Sequence, residues 1–273
     1  VEVLMLTFGL MFGGGSSLAY TPSLVILGHY FKRWIGIVNG LVTAGSSLFT
    51  IVLPFILPSL LDISLELTFQ VLSGMTALLM VCSLIFNPLI PSLSPAKKVD
   101  EDGNTSIKNC RDFWGQIINF EIWKNRRYVL WAFAIPSSLF GYFVPYTHLV
   151  TFTKEVLGEE TNTQILIQCI GATSGVGRII FGFISDRPWV NRIVLQQISF
   201  ISIGCFTMLL VVANNFPIFI VIALFIGLFD GCFVSLVGPI ALDIVGPSGA
   251  SQAIGCLLTM YTIPMTAGPA IAG

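Results

Sequence analysis

The chain has 273 residues, 55% hydrophobic and 10% charged, with a formal net charge of −1 and a mean hydropathy of +0.88. A soluble domain carries about 25% charged residues, so this chain has too little polar surface to face water. Composition therefore excludes a soluble enzyme and a disordered protein, and a net charge near zero gives no electrostatic case for nucleic acid.

Charge-poor runs mark the elements. In chain order they predict eight helical spans, at about 4–28, 35–60, 67–88, 128–150, 162–184, 193–213, 217–241 and 252–273. Each approaches the ~20 apolar residues that cross a ~30 Å hydrocarbon core. Ten-residue alternating strands are absent, so the fold class is an all-α membrane protein rather than a barrel. Residues 89–127, rich in Pro, Ser and charge, read as a linker. They divide the chain into a three-span set at 1–88 and a five-span set at 128–273, as expected of two bundles.

Basic residues orient these spans. The connection with Lys32 and Arg33, the 89–127 linker, and the connection with Arg187 and Arg192 all fall on one side. The opposite side holds Lys154 as its one basic residue. By the positive-inside rule the basic side is cytoplasmic, which leaves the Asn104-Thr105-Ser106 sequon unused. With no initiator Met and an end inside a span, the sequence reads as a fragment, or a short product, of a longer membrane protein.

Several features belong inside the membrane. Gly9/Gly13, Gly36/Gly40, Gly171/Gly175 and Gly227/Gly231 are spaced four apart, which lets helices approach closely. Prolines at 22, 54, 136, 145, 239 and 264 break the backbone ladder in or near spans, as suits a moving transporter. Arg178 and Asp230 stand within otherwise apolar runs, where a lone charge costs at least ~2.5–3.5 kcal/mol. At ~1.5 Å per residue their α-carbons differ by about 8 Å in depth, a gap the long Arg side chain largely covers. We expect them to pair across a polar cavity, either as a purely structural ion pair or as one in which Arg178 releases Asp230 to accept a carboxylate in bidentate fashion. His148, in an aromatic run near the outer face, is expected either to anchor at the interface or to touch a polar ligand group. Phe140, Tyr142 and Phe143 supply a candidate ring-binding wall, whereas His29 reads as interfacial. Serine, histidine and acid form no catalytic motif, and no CxxC occurs among six cysteines, so neither an enzyme nor a cofactor or metal site is expected.

The run Gly182-Phe183-Ile184-Ser185-Asp186-Arg187, followed by Arg192, resembles the G-x-x-x-D-R/K signature at cytoplasmic helix junctions of the major facilitator superfamily. Pro22-Ser23, Tyr30-Phe31-Lys32-Arg33, Asn39-Gly40 and Ala44-Gly45-Ser46 resemble the monocarboxylate transporter family between its fourth and fifth helices. Leu242 to Gly246 and Gly268-Pro269 are similar to its tenth and eleventh. The resemblance implies an incomplete helical bundle of that superfamily, helices four to eleven of twelve. It implies that Gly182, Asp186, Arg187, Lys32 and Arg33 form a cytoplasmic gate motif.

Gly141 to His148, Gly175 to Arg178 and Asp230 to Val234 resemble the branch that moves thyroid hormones and aromatic amino acids. By that resemblance Arg178 and Asp230 are the charge pair of a substrate site and His148 a substrate contact. The proton-coupled lactate members have an Asp where this chain has Ser174 and a Phe where it has Gly238. The first change removes a proton acceptor, and the second is expected to enlarge the pocket. The implied function is facilitated, alternating-access transport of an organic carboxylate across the plasma membrane. The implied partners are that solute, the lipid bilayer, and an ancillary membrane subunit or a homodimeric copy. Rival readings are a proton-linked carrier of small monocarboxylates, told apart by a pH jump, and a truncated, non-transporting membrane protein.

Overall fold

A backbone in hydrocarbon must satisfy its own amides, so the apolar runs close into helices. The computed structural model describes residue 9 and residues 11–31, 33–83, 120–158 and 163–272, and among these no strand occurs. In chain order the helices are α1 (Gly13–Tyr30), α2 (Ile35–Ile63), α3 (Leu65–Ser83), α4 (Arg126–Tyr142), α5 (Val144–Leu157), α6 (Gln164–Ser185), α7 (Arg192–Leu209), α8 (Phe216–Val245) and α9 (Pro247–Ala272). Asn125 and Asn191 cap α4 and α7 by accepting N–H bonds from the first turn. Gly246, at φ 78°, turns the chain from α8 into α9, a conformation that favours glycine.

Among the described residues, six stretches are long and apolar enough to cross a membrane: 35–63, 126–157, 164–185, 192–212, 216–245 and 249–272. The two other expected spans fall on α1 and α3, helices of 18 and 19 residues. The span expected at 128–150 runs on to Leu157 and is broken into α4 and α5 at Phe143. The cause is local. Pro145 has no amide to offer the Gly141 carbonyl, so the helical ladder lapses beside the aromatic run. Lys32, Cys110 and the 104–106 sequon lie outside the described residues, as does most of the 89–127 linker. Its end, Phe120–Lys124, forms a 3-10 turn that buries Ile122, and the Asn125 amide donates to the Ile244 carbonyl at 3.1 Å.

Helix α6 packs on both α2 and α8, which also touch each other. Glycines permit both contacts. A Cβ at Gly40 of α2 would lie 2.2 Å from the Arg178 carbonyl oxygen; at Gly231 of α8 it would lie 2.2 Å from that of Ser174. Gly9 and Gly13, by contrast, meet nothing within 4 Å, so that spacing reflects no close helix approach among the described residues. Gly231→Ala should therefore push α8 off α6 at a cost of about 1–3 kcal/mol, typical of overpacking. Detergent-purified protein should show a lowered unfolding midpoint for Gly231→Ala and an unchanged one for Gly13→Ala. Equal midpoints would remove the packing argument.

Candidate functional site: a buried charge pair with an open guanidinium edge

The close approach of α6 and α8 brings the two intramembrane charges together. Arg178 is 8% exposed and Asp230 7%, and Nη2 of the first lies 3.9 Å from Oδ2 of the second. This is a loose pair, because each partner is held by other groups. Asp230 Oδ1 accepts from the Tyr142 hydroxyl and Oδ2 from the Ser174 hydroxyl. Arg178 Nη1 donates to the Thr43 carbonyl and the Ser46 hydroxyl, both on α2. Its Nε is buried without a hydrogen-bond partner among the described residues. A guanidinium presents Nε–H and one Nη2–H along a single edge, the edge that takes a carboxylate side-on. At Arg178 that edge makes no hydrogen bond among the described residues, and its nearest carboxylate oxygen is the one at 3.9 Å.

The surroundings are aromatic. The break at Phe143 turns Tyr142 inward, where its ring packs 5.2 Å from Phe143, 5.5 Å from Tyr146 and 5.5 Å from Phe233. Tyr146 sits within electrostatic reach of Asp230 and Arg178, and its buried hydroxyl makes no aligned hydrogen bond. Tyr20 of α1 also lies within electrostatic reach of Arg178.

Other anticipated residues take different places. Phe140 is 45% exposed, and its backbone carbonyl packs against Gly268 of α9. His148 is half-buried with Nε2 3.2 Å from the Pro269 carbonyl, so it links α5 to α9. Gly238 makes room for Asn39: a Cβ there would lie 3.2 Å from Oδ1 of that amide, whose Nδ2 donates to the Ser235 carbonyl at 2.7 Å. The space beside Gly238 that a side chain would enter is thus filled by a buried amide.

The loop motif forms a compact network. Asp186, its side chain fully buried, accepts the N–H groups of Gly36 and Ile37 at 2.9 Å each, so it holds the N-terminus of α2. Negative charge there is also favoured by the helix dipole. Gly182 and Gly36 face each other closely enough that a Cβ on either would strike the other's backbone carbonyl, at 2.6 Å. The cation of the network is Arg192. It donates to Asp186 at 3.0 Å, to both Asp243 oxygens at 2.8 Å and to the Ser185 carbonyl at 3.1 Å. Arg187 instead lies over the Phe183 ring at 4.4 Å, and Arg33 over Trp34 at 5.8 Å.

Sequence reasoning placed Tyr142 in a ring-binding wall and Arg192 only after the loop signature, and gave Thr43, Ser46, Asn39 and Asp243 no role in these two clusters. Ser174, which stands where the proton-coupled relatives' resemblance implies an acid, donates its hydroxyl to Asp230. Donor–acceptor need was the available signal: a buried carboxylate requires hydroxyl donors at its own depth.

A family model described as Major Facilitator Superfamily matches residues 1–269. The chain is 48% identical over 269 residues to Monocarboxylate transporter 10 of Danio rerio, covering 98% of this chain and 52% of that protein. It is 46% identical over 278 residues to Monocarboxylate transporter 10 of Homo sapiens, covering 100% and 53%. A more distant relative, Monocarboxylate transporter 4 of Gallus gallus, is 27% identical over 271 residues, covering 98% and 56%. The chain spans about half the length of the curated relatives it matches.

Proposed function

From the premise that the chain belongs to the Major Facilitator Superfamily, we propose that it is part of a plasma-membrane transporter for an organic carboxylate, an aromatic amino acid or a thyroid hormone. The free Nε/Nη2 edge of Arg178 carries this reading. A solute carboxylate would dock there as a bidentate pair, with charge-assisted bonds worth roughly 1.5–3 kcal/mol each. Asp230, 3.9 Å away, supplies the counter-charge in the unloaded site and an acceptor for a solute ammonium in the loaded one. Burial makes both interactions stronger than they would be in water.

Alternating access supplies the rest of the mechanism: two bundles rock about a midplane site. Helices α1–α3 would belong to one bundle, α4–α9 to the other, with 89–127 as the cytoplasmic linker. The α2–α6 contact then runs between bundles, with the Asp186 network closing its cytoplasmic end. In this reading His148 and the exposed Phe140 ring meet the solute from the outer half, while Gly238 sets the shape of the α2–α8 wall. Relatives named for monocarboxylate transport support the carboxylate. The resemblance of residues 141–148 to the thyroid-hormone and aromatic-amino-acid branch supports the larger solute. An ancillary subunit or a second copy belongs to the same reading of the family.

The test exchanges the charges in the full coding sequence, Arg178→Asp with Asp230→Arg. The exchange should leave uptake of labelled L-phenylalanine and triiodothyronine at background. Recovery of uptake would mean a structural ion pair and would refute Arg178 as the carboxylate site.

A further inference from the structure

Arg178 is held from a helix other than its own. Nη1 donates both to the Thr43 carbonyl and to Ser46 Oγ on α2, and Ser46 in turn donates its one proton to the same Thr43 carbonyl at 2.9 Å. The hydroxyl's only proton is committed, so towards Arg178 it acts as an acceptor. The arrangement does two things. It occupies the Nη1 end of the guanidinium, and it draws that end away from Asp230, leaving the ion pair at 3.9 Å. Buried Nε stays without a partner. Asp230 needs no closer approach, since Tyr142 and Ser174 already donate to its two oxygens.

With Ser46 gone, only the Thr43 carbonyl would hold Nη1, and a flexible side chain kept by one bond can swing about it. In a low-dielectric setting a guanidinium beside a carboxylate gains by closing to direct hydrogen-bond distance, and the edge that closes is Nε/Nη2. An incoming carboxylate would then have to displace Asp230 before it could bind. We infer that Ser46 is a positioning residue: from α2 it turns Arg178 so that the Nε/Nη2 edge stays open to a substrate carboxylate instead of collapsing onto Asp230. Ser46 touches no substrate in this scheme and acts through Arg178. It also ties substrate recognition to the α2–α6 contact, since the residue that reads the carboxylate is oriented by the facing helix.

This inference rests on the proposed role of Arg178, and the experiment separates the two. Wild type, Ser46→Ala and Ser46→Thr are expressed from the full coding sequence. Uptake of labelled L-phenylalanine is then competed with unlabelled L-phenylalanine or with L-phenylalaninamide, which lacks the carboxylate. Wild type should favour the acid over the amide. Ser46→Ala should weaken the acid about tenfold, as loss of bidentate geometry implies, while leaving amide inhibition and surface abundance unchanged. Ser46→Thr, which keeps the hydroxyl, should restore the preference.

If wild type fails to prefer the acid, the carboxylate role of Arg178 falls and this inference with it. If wild type prefers the acid and Ser46→Ala does so equally, the inference alone is overturned. It is also overturned if Ser46→Ala weakens acid and amide alike or falls in surface abundance, since the residue is then structural. Should Ser46→Thr be impaired by its added methyl, Ser46→Cys provides a second contrast. Its sulfur is a weak acceptor, so it should give an intermediate acid preference, and a preference equal to wild type's would count against the inference.

Discussion

Arg178→Ala is expected to reduce carboxylate uptake at least 100-fold while the protein still reaches the surface. Two charge-assisted hydrogen bonds at roughly 1.5–3 kcal/mol each are lost, and every 1.4 kcal/mol is a factor of ten. Folding should survive, because Asp230 keeps its Tyr142 and Ser174 donors and so remains a solvated-in-place carboxylate rather than an orphaned one. Arg178→Lys is a sharper version of the experiment. Lysine keeps the charge but offers a point donor in place of a fork, so it should retain at most about a tenth of wild-type uptake. Surface biotinylation alongside initial-rate uptake checks both variants. Undiminished uptake of carboxylates by Arg178→Ala would sink the site, whatever its geometry.

The second large effect should come from Asp186→Ala. This carboxylate accepts two N–H bonds from the start of α2 and pairs with Arg192, all with its own side chain fully buried. Its removal strands two helix-terminal amides and leaves Arg192 with the Ser185 carbonyl and Asp243, whose side chain is 54% exposed. Breaking a buried pair in this way costs about 3–5 kcal/mol. Asp186→Asn keeps acceptor capacity but loses the charge, so it should fall between wild type and alanine. The measurements are the unfolding midpoint in detergent and the thiol-labelling rate of a cysteine placed at Trp189, which is 79% exposed beside the network. A lower midpoint in the order wild type, Asn, Ala is the expected result. Unchanged midpoints for both variants would show that the network does not hold α2 to α6.

Arg187→Ala makes a useful contrast to this pair. It sits over Phe183 and outside the Asp186 cluster, where a single exposed cation–π contact is worth about 0.5–1 kcal/mol. Motif reading assigned Arg187 to the gate because it adjoins Asp186 in sequence. Three-dimensional geometry selects Arg192 instead, since the chain turns at Pro188 and Trp189 and the next helix, α7, begins at Arg192. Adjacency along a chain says little about adjacency after a turn.

Much of the architecture was legible in the sequence because the bilayer imposes so few solutions. A run of uncharged residues of sufficient length must be helical, so the ranges of α2, α6, α7, α8 and α9 followed from counting charges. Arg178 and Asp230 stood out for the same reason: a charge in an apolar run is too costly to be accidental. The break at Phe143 was less legible. Pro145 announced a perturbed helix, but proline alone does not say whether the chain bends or splits, nor that the disruption turns Tyr142 toward Asp230.

The side-chain partners of the charges were the part that only tertiary structure decided. Charge patterning is a one-dimensional signal and survives any rotation of a helix about its axis. Hydrogen-bond partners depend on that rotation and on the distance between helices, which the glycines at Gly40 and Gly231 allow to be short. The sequence by itself therefore determined that a guanidinium and a carboxylate share the membrane interior in an all-helical chain. Packing decided that Ser46 and Thr43 hold one end of the guanidinium, that Tyr142 and Ser174 hold the carboxylate, and that Asn39 fills the room beside Gly238. Directional bonds need positions in space, and those arise only once helices far apart in sequence are pressed together.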